Sequence, residues 1–191
     1  MLARLDPENI PLVSKILVLF GATSELHPLV LQSLFVRTRR GERVGVIVGD
    51  NHLSTYALAR LARANGFNPA TLLAHIEFSR PFTCHQLDYC VANLVAEKSR
   101  EWSALYVLGL LDPFYDEDIR LPIVAQLLND VLARLRHIAL QELSVLVTIS
   151  PPPSETTRGE LIARVLRAAD AYWQPSPITI NHCAATQRGL W

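Results

Sequence analysis

The residues with the clearest potential for chemistry stand where the first long apolar run of the chain ends. Residues 16–20 (ILVLF) are typical of a strand covered on both faces, Gly21 ends the run, and apolar residues recur at helical spacing over residues 29–35. A strand, a glycine turn and a helix N-terminus form the scaffold of a phosphate-binding loop, in which backbone N–H groups and the helix dipole hold a phosphate. The candidate nucleotide contacts here are Gly21, Thr23, Ser24 and His27.

The side chains that complete such a loop are missing. The motif G-x-x-x-x-G-K-[ST] aligns with GATSELHP at residues 21–28, so Leu26, His27 and Pro28 replace the glycine, the lysine and the hydroxyl residue. The β- and γ-phosphates therefore lack their lysine, Mg²⁺ lacks its hydroxyl, and Pro28 removes a backbone donor. Glu25 adds a negative charge to the same place. We therefore expect that the protein uses no cofactor; the alternative is that it binds ATP together with Mg²⁺.

Two acidic residues follow two further apolar runs. Residues 44–48 predict a second strand, and Asp50 comes just after it. Ligands of open α/β sheets bind at the carboxyl ends of the strands, so Asp50 is a candidate catalytic residue, and a turn or cap role is an equal alternative. Residues 104–111 predict another strand, and Asp112 then opens an acidic loop that ends at Asp118. Asp112 is a further candidate for binding a nucleotide or its metal ion.

Arginines form the remaining candidate contacts, for DNA or for a protein partner. Four of them surround a turn near residue 41, where they complement the dipole of a preceding helix or contact a phosphate or an acidic partner. One more stands in a proline-rich loop at residues 150–159. These candidates are Arg37, Arg39, Arg40, Arg43 and Arg158.

Composition sets the broad class. The 191 residues carry no formal net charge and half of them are apolar, which predicts one globular domain over residues 1–191 and gives no overall attraction to nucleic acid. Residues 1–14 are a lead-in without a signal-peptide pattern, and no apolar run approaches the ~20 residues of a membrane span. We therefore expect a cytoplasmic protein that does not use a membrane. The three cysteines fit neither a disulfide framework nor a common zinc pattern, so no metal site is expected.

Short apolar runs alternate with amphipathic segments along the whole chain. This order predicts β-α-β-α-β-α-β-α-β-α-β, an α/β fold with a mostly parallel central sheet and helices on both faces, in three αβα layers. The third strand is expected within residues 72–78, a long helix over residues 121–140 with Ile123 on its apolar side, and a terminal strand at residues 178–180. Residues 150–159 are expected to be a flexible loop.

The order of elements and several segments resemble the RecA/RadA/KaiC-type ATPase core. GATSE is similar to its Walker A region, and VIVGDNHLSTYALARLARANGFNPATLLAHIEFSRPFTCHQL is similar to its second strand, helix, third strand and His-Gln helix. ALYVLGLLDPFYDEDIR looks like its Walker B strand, and LSVLVTIS like the strand before a DNA-binding loop. The resemblance implies a RecA-like fold, side-by-side assembly, and a water-activating role at Asp50.

The departures from that family are concentrated at its nucleotide motifs. The Walker A lysine and hydroxyl are absent, and the Walker B position falls near Gly109 rather than on Asp112. Because phosphoryl transfer depends on those positioning groups, ordinary ATPase turnover is not expected. The acidic loop at residues 112–118 would repel DNA phosphates, so DNA contact has weak support.

Three interpretations follow. The first is a catalytically degenerate RecA-like protein that acts as an interaction or accessory module in DNA recombination or repair, with a protein partner or as a homo-oligomer. The second is an unconventional nucleotide binder or ATPase that uses the Gly21–His27 loop and Asp50. The third is an unrelated α/β domain, which a strand order unlike that of RecA cores would indicate.

Overall fold

The computed structural model describes residues 16–174, apart from the side chains of residues 94 and 96. Six strands form one sheet in the order β3-β2-β4-β5-β1-β6, and every neighbouring pair is parallel. The strands are β1 (Ile16–Phe20), β2 (Val44–Val48), β3 (Ile76–Ser79), β4 (Ala104–Leu108), β5 (Ser144–Ile149) and β6 (Ala171–Trp173). The arrangement confirms the predicted α/β class and is consistent with a RecA-like fold.

Helices cover both faces of this sheet. Those on one face are α1 (Thr23–Thr38), α2 (Thr55–Ala64) and α3 (Pro69–Leu73). The other face carries α4 (Cys84–Tyr89), the π-helical turn Cys90–Val95, α6 (Leu121–Leu140) and α7 (Glu160–Ala168). Between the π-helical turn and β4 lie two short elements, α5 (Ala96–Lys98) and the 3₁₀ turn Ser99–Glu101. Another 3₁₀ turn, Asp112–Phe114, follows β4. Within residues 16–174, no helix is both long and apolar enough to cross a bilayer.

Alternation along the strands explains why two cores form. In β1, Val18 and Phe20 belong to the core under α6 and α7, whereas Leu17 and Leu19 belong to the core under α1 and α2. Successive side chains of a strand point to opposite faces, so a run that is apolar throughout requires cover on both sides. The central strands β1, β2, β4 and β5 are buried along their whole length, which places the helices in two outer layers.

Several predicted elements need correction. Residues 72–78 do not form one strand, because Asn68 caps the short helix α3 and β3 begins only at Ile76. Ile123 does not face the core: it is 40% exposed in the first turn of α6, where the next residue, Val124, takes the buried side of the helix. The sixth strand is Ala171–Trp173, and the strand predicted at residues 178–180 lies outside the described residues.

The strand order brings two crevices to the carboxyl edge of the sheet. The helix after β2 covers one face and the helix after β4 covers the other, although β2 and β4 are neighbours. The same reversal occurs between β1 and β5. Such points are where open α/β sheets bind ligands. Asp50 and Asp112 lie at the first crevice, and Thr23 and Ser150 at the second.

Candidate functional site at the carboxyl edge of the sheet

The connection between β1 and α1 is too short to wrap around a phosphate. Only Gly21 and Ala22 separate the strand from the helix, and the helix already begins at Thr23. The Gly21 N–H donates to the Ile149 carbonyl at 3.1 Å, and Leu26 is buried in the core under α1. Six residues of the sequence GATSELHP are therefore helical, and the open loop that the glycine turn predicted is absent.

Thr23 is the first residue of α1, and its hydroxyl lies 2.9 Å from the Ser150 hydroxyl at the end of β5. This bond joins the two sides of the β1–β5 crevice. Ser24 and Glu25 are exposed on the first turn of the helix. The Thr23 hydroxyl at the crevice is therefore bonded within the chain, and one of the two exposed residues beside it, Glu25, carries a negative charge.

His27 contacts Asp50 rather than open solvent. Its Nε2–H donates to Asp50 Oδ2 at 3.1 Å, with side-chain exposures of 16% for the histidine and 3% for the aspartate. Helix α1 presents His27 one turn after Thr23, and the end of β2 presents Asp50, so the contact ties the helix to the sheet edge. The side chain of His27 is thereby engaged by a carboxylate.

Asp50 is the most buried carboxylate of the site. Burial alone would raise its pKa, but the hydrogen bonds from His27 and from the backbone N–H of His52 favour the anion, and the pKa lies below its ordinary value. The His52 N–H donates to Asp50 Oδ1 at 3.0 Å, and His52 Nδ1–H also donates to the Asp50 carbonyl. Asp50 is thus an anion held by donors on both oxygens.

Asp112 has the opposite electrostatic character. Burial, and to a smaller extent the neighbouring Asp50 charge, together raise its pKa to about 6. Among the described residues its Oδ2 atom is buried and has no hydrogen-bond partner. The nearby Tyr115 hydroxyl is also buried without a described partner, and burial together with the Asp112 charge raises the pKa of Tyr115. The two carboxyl groups at the β2–β4 crevice therefore differ in the ease with which they ionise.

Gly109 lets the two strand ends approach each other. Its φ is +59°, and a Cβ atom added there would lie 2.3 Å from Asp50 Cβ and 2.7 Å from Asp112 Oδ2. A residue with a side chain would have to displace both carboxyl groups. The backbone of Gly109 is thus in close contact with Asp50, and Asp112 reaches the crevice from the 3₁₀ turn that follows.

Two arrangements that occur in many catalytic centres are not found among the described residues of this site. Within the described part of the chain, no three His, Cys, Asp or Glu side chains are grouped as metal ligands would be. Among the same residues, no hydroxyl or thiol forms a hydrogen bond with His27, so the His27–Asp50 pair has no adjacent nucleophile to activate. Cys84 is buried in the core, and Cys90 lies 3.1 Å from the Ser79 hydroxyl, on the far side of β2.

The four clustered arginines are largely engaged with their own chain. Arg37 pairs with Glu42 and lies 3.4 Å from the Ser103 hydroxyl, and Arg43 pairs with Glu101 at 3.1 Å. The Arg39 guanidinium stacks over the Phe35 ring at 5.6 Å. Arg40 is exposed. The cluster predicted from sequence is therefore a set of separate local contacts around the end of α1.

Arg158 is an interior residue, contrary to its predicted role as a surface contact. It is 3% exposed, and its guanidinium donates to the Phe114 carbonyl at 2.8 Å and to the Ile119 carbonyl. The Thr157 N–H also donates to Glu117 at 3.2 Å. The proline-rich loop is thereby attached to the acidic loop, and the Arg158 charge is directed at backbone carbonyls instead of a partner.

Sequence reasoning missed three residues of the site. His52 was overlooked because its bonds to Asp50 depend on the turn at Asn51, which has a φ of +53°. Gly109 had a signal, since a glycine within an apolar strand indicates close backbone approach. Tyr115 had none, because its position depends on the 3₁₀ turn.

The chain matches no protein-family model and no curated protein, so its residues and fold alone carry the functional argument.

Proposed function

We propose that the chain is a catalytically degenerate RecA-like protein that acts as an interaction or accessory module. The two-residue connection between β1 and α1 carries this proposal. A phosphate-binding loop needs several consecutive free N–H groups arranged around the anion. Here the chain enters the helix at once, and the Gly21 N–H is bonded to β5.

The side chains at this edge support the same proposal. His27 is engaged by Asp50, and Thr23 by Ser150. A triphosphate would have to break the first contact, which would leave the buried Asp50 anion without its histidine donor and close to the new negative charge. Loss of the groups that neutralise phosphate charge is incompatible with efficient phosphoryl transfer.

The resemblance to RecA-type cores suggests the setting of this module. We propose a role beside recombination or repair proteins in the cytoplasm, as a homo-oligomer or paired with an active relative. Direct DNA binding has less support, because Asp116, Glu117 and Asp118 line the exposed part of the loop after β4 and Arg158 is buried.

One observation favours the second candidate, an unconventional nucleotide binder or ATPase that uses residues 21–27 and Asp50. The pKa of Asp50 is lowered while that of Asp112 is raised, and a pair of carboxyl groups shifted in opposite directions is a common property of acid–base centres. In this alternative Asp112 and Asp50 would hold or activate the groups around a phosphate, and Mg²⁺ would accompany the nucleotide.

Titration calorimetry with ATP and Mg²⁺ separates the two candidates. The wild type is compared with His27→Ala and Asp50→Ala, and the matched controls are His85→Ala and Asp130→Ala, which alter exposed residues on the other face. The interaction module predicts no saturable heat at millimolar nucleotide in any of the five proteins. Micromolar binding that is lost in His27→Ala or Asp50→Ala and kept in the controls would refute it in favour of the nucleotide binder.

A further inference from the structure

We propose that the groove between α1 and α2 is the docking site for an acidic amphipathic helix of a partner protein. The proposal rests on the interaction-module function and names the surface and the chemistry of the partner. It assigns a role to a face of the molecule that is separate from the carboxyl-edge site.

The groove is an apolar depression of about 440 Å³ between two neighbouring helices. Pro28 and Leu31 line it from α1, and Ala57, Leu61 and Ala64 line it from α2. On α2 these positions follow the spacing i, i+4, i+7, which forms one continuous stripe along about two turns of helix. An apolar stripe on each of two adjacent helices is the geometry in which a third helix can bury its own apolar face.

The side chains of the groove favour a helix as the occupant. Ala57 and Ala64 are small, so the backbone of an incoming helix can approach α2 closely. Leu31 and Leu61 are only half-buried in the free chain, and they supply apolar area that becomes buried on docking. The rim adds Gln32 and the exposed Arg60, groups that suit the polar edge of a bound helix.

Charge defines the chemistry of the partner. Helix α2 contains Arg60 and Arg63 and no acidic residue, and Arg40 follows the end of α1. Within residues 16–174 none of these three arginines forms an ion pair or side-chain hydrogen bond. The only carboxylate of α1 and α2 is Glu25, which is in the first turn of α1 and does not line the groove. A helix with acidic residues along the side that meets Arg60 and Arg63 complements this distribution.

The alternative occupants fit less well. A nucleic acid follows rows of cations, whereas most residues that line this groove are apolar and Arg60 is the one cation among them. A second copy of this chain would need an acidic amphipathic helix. Of the described helices, the long α6 carries Asp130 alone against Arg134 and Arg136. In α7, Glu160 contacts Arg164 of the same helix. A different protein is therefore the partner that the charges support.

The test uses a displayed library of helical peptides of about 18 residues, or five turns. Binders selected on the intact chain are synthesised, and their affinities are measured by fluorescence polarisation. Ala64→Glu and Arg60→Glu change exposed residues of the groove. The matched controls are Ala133→Glu, at an exposed alanine of α6, and Arg100→Glu, at an exposed arginine of the 3₁₀ turn before β4. We expect acidic amphipathic binders whose affinity falls at least tenfold in both groove variants and is unchanged in both controls.

Several outcomes would overturn the proposal. The first is a selection that yields no acidic helical peptides. The second is a set of peptides whose affinity is the same for the wild type and for both groove variants. The third is a single-stranded oligonucleotide that binds through Arg60 when the peptides do not bind. Self-association in light scattering that Ala64→Glu abolishes would assign the groove to a second copy. If no peptide binds at the groove and no nucleotide binds either, the docking proposal is refuted and the interaction-module function stands with another surface. If a nucleotide binds and the peptides still depend on the groove, the docking proposal stands and only the interaction-module function is refuted.

Discussion

Replacement of Asp112 by asparagine is expected to stabilise the protein at neutral and alkaline pH. The raised pKa of Asp112 means that the folded state prefers the protonated carboxyl more strongly than the unfolded state does. This preference contributes to stability below the ordinary pKa of 3.8 and is lost as the pH rises through about 6. Above that pH the folded protein holds a partly buried anion beside Asp50. Asparagine has nearly the same shape and carries no charge.

The magnitude follows from the difference between the two pKa values. A shift from 3.8 to about 6 corresponds to roughly 3 kcal/mol, since one pKa unit is about 1.4 kcal/mol. Asp112 is only partly buried, so solvent screening reduces the expected gain to about 1–2 kcal/mol. For a chain of this size each kcal/mol raises the melting temperature by about 2–4 °C.

The assay is thermal unfolding of the wild type and Asp112→Asn in a series of buffers from pH 4 to pH 8, chosen to bracket a pKa of about 6. Asp118→Asn is the control, because Asp118 is an exposed acid of the same loop. We expect the melting temperatures of the two proteins to be similar near pH 4, to diverge between about pH 4 and pH 6, and to keep a constant difference above about pH 6. A constant difference at every pH, or a variant that is less stable at pH 8, would refute the electrostatic account of this residue.

Three further changes test the packing around the site. Gly109→Ala should lower the free energy of unfolding in urea by about 2 kcal/mol or more, because its Cβ would collide with Asp50. Gly41→Ala is the control: its φ is +79° and the space around it is open, so it should lose only about 1 kcal/mol. Equal losses in the two variants would contradict the close approach of Gly109 to Asp50. Asp50→Asn should lose about 1–2 kcal/mol in urea at pH 7. Because the pKa of Asp50 is lowered, this deficit should shrink as the pH falls below 3.8, and a deficit that grows in acid would contradict the assignment. Arg158→Met should cost about 2 kcal/mol and raise hydrogen exchange at residues 112–120, unlike the exposed Arg100→Met, and unchanged exchange would show that Arg158 does not hold the loop.

The sequence predicted the layered architecture because apolar runs are a strong signal. The interiors of β1, β2 and β5 are apolar at nearly every position, and α6 was predicted with the bounds Leu121–Leu140 that the structure has. Prediction was wrong where a short segment satisfied two patterns. Residues 72–78 are apolar enough for a strand, but the Asn68 cap and the following proline start a helix that takes the first two of them.

The candidate site was predicted in part. Asp50 was placed at the carboxyl edge from its distance after the second strand, and it lies there. Its bond to His27 could not be predicted, because the two residues come from different elements whose separation depends on the strand order. The helical state of residues 23–28 was also missed, since a glycine turn before a helix is compatible with both a long loop and a short one.

The account depends most on the claim that the start of α1 does not bind a nucleotide phosphate. The direct measurement is a titration of the ¹⁵N-labelled chain with ATP and Mg²⁺, followed through the backbone amide signals of Gly21, Thr23 and Ser24. We predict that these signals stay in place up to millimolar nucleotide, because the Gly21 N–H is bonded to β5 and Thr23 and His27 are engaged within the chain. Saturable shifts confined to these amides and to Asp50 would contradict the account and identify the edge as a nucleotide site.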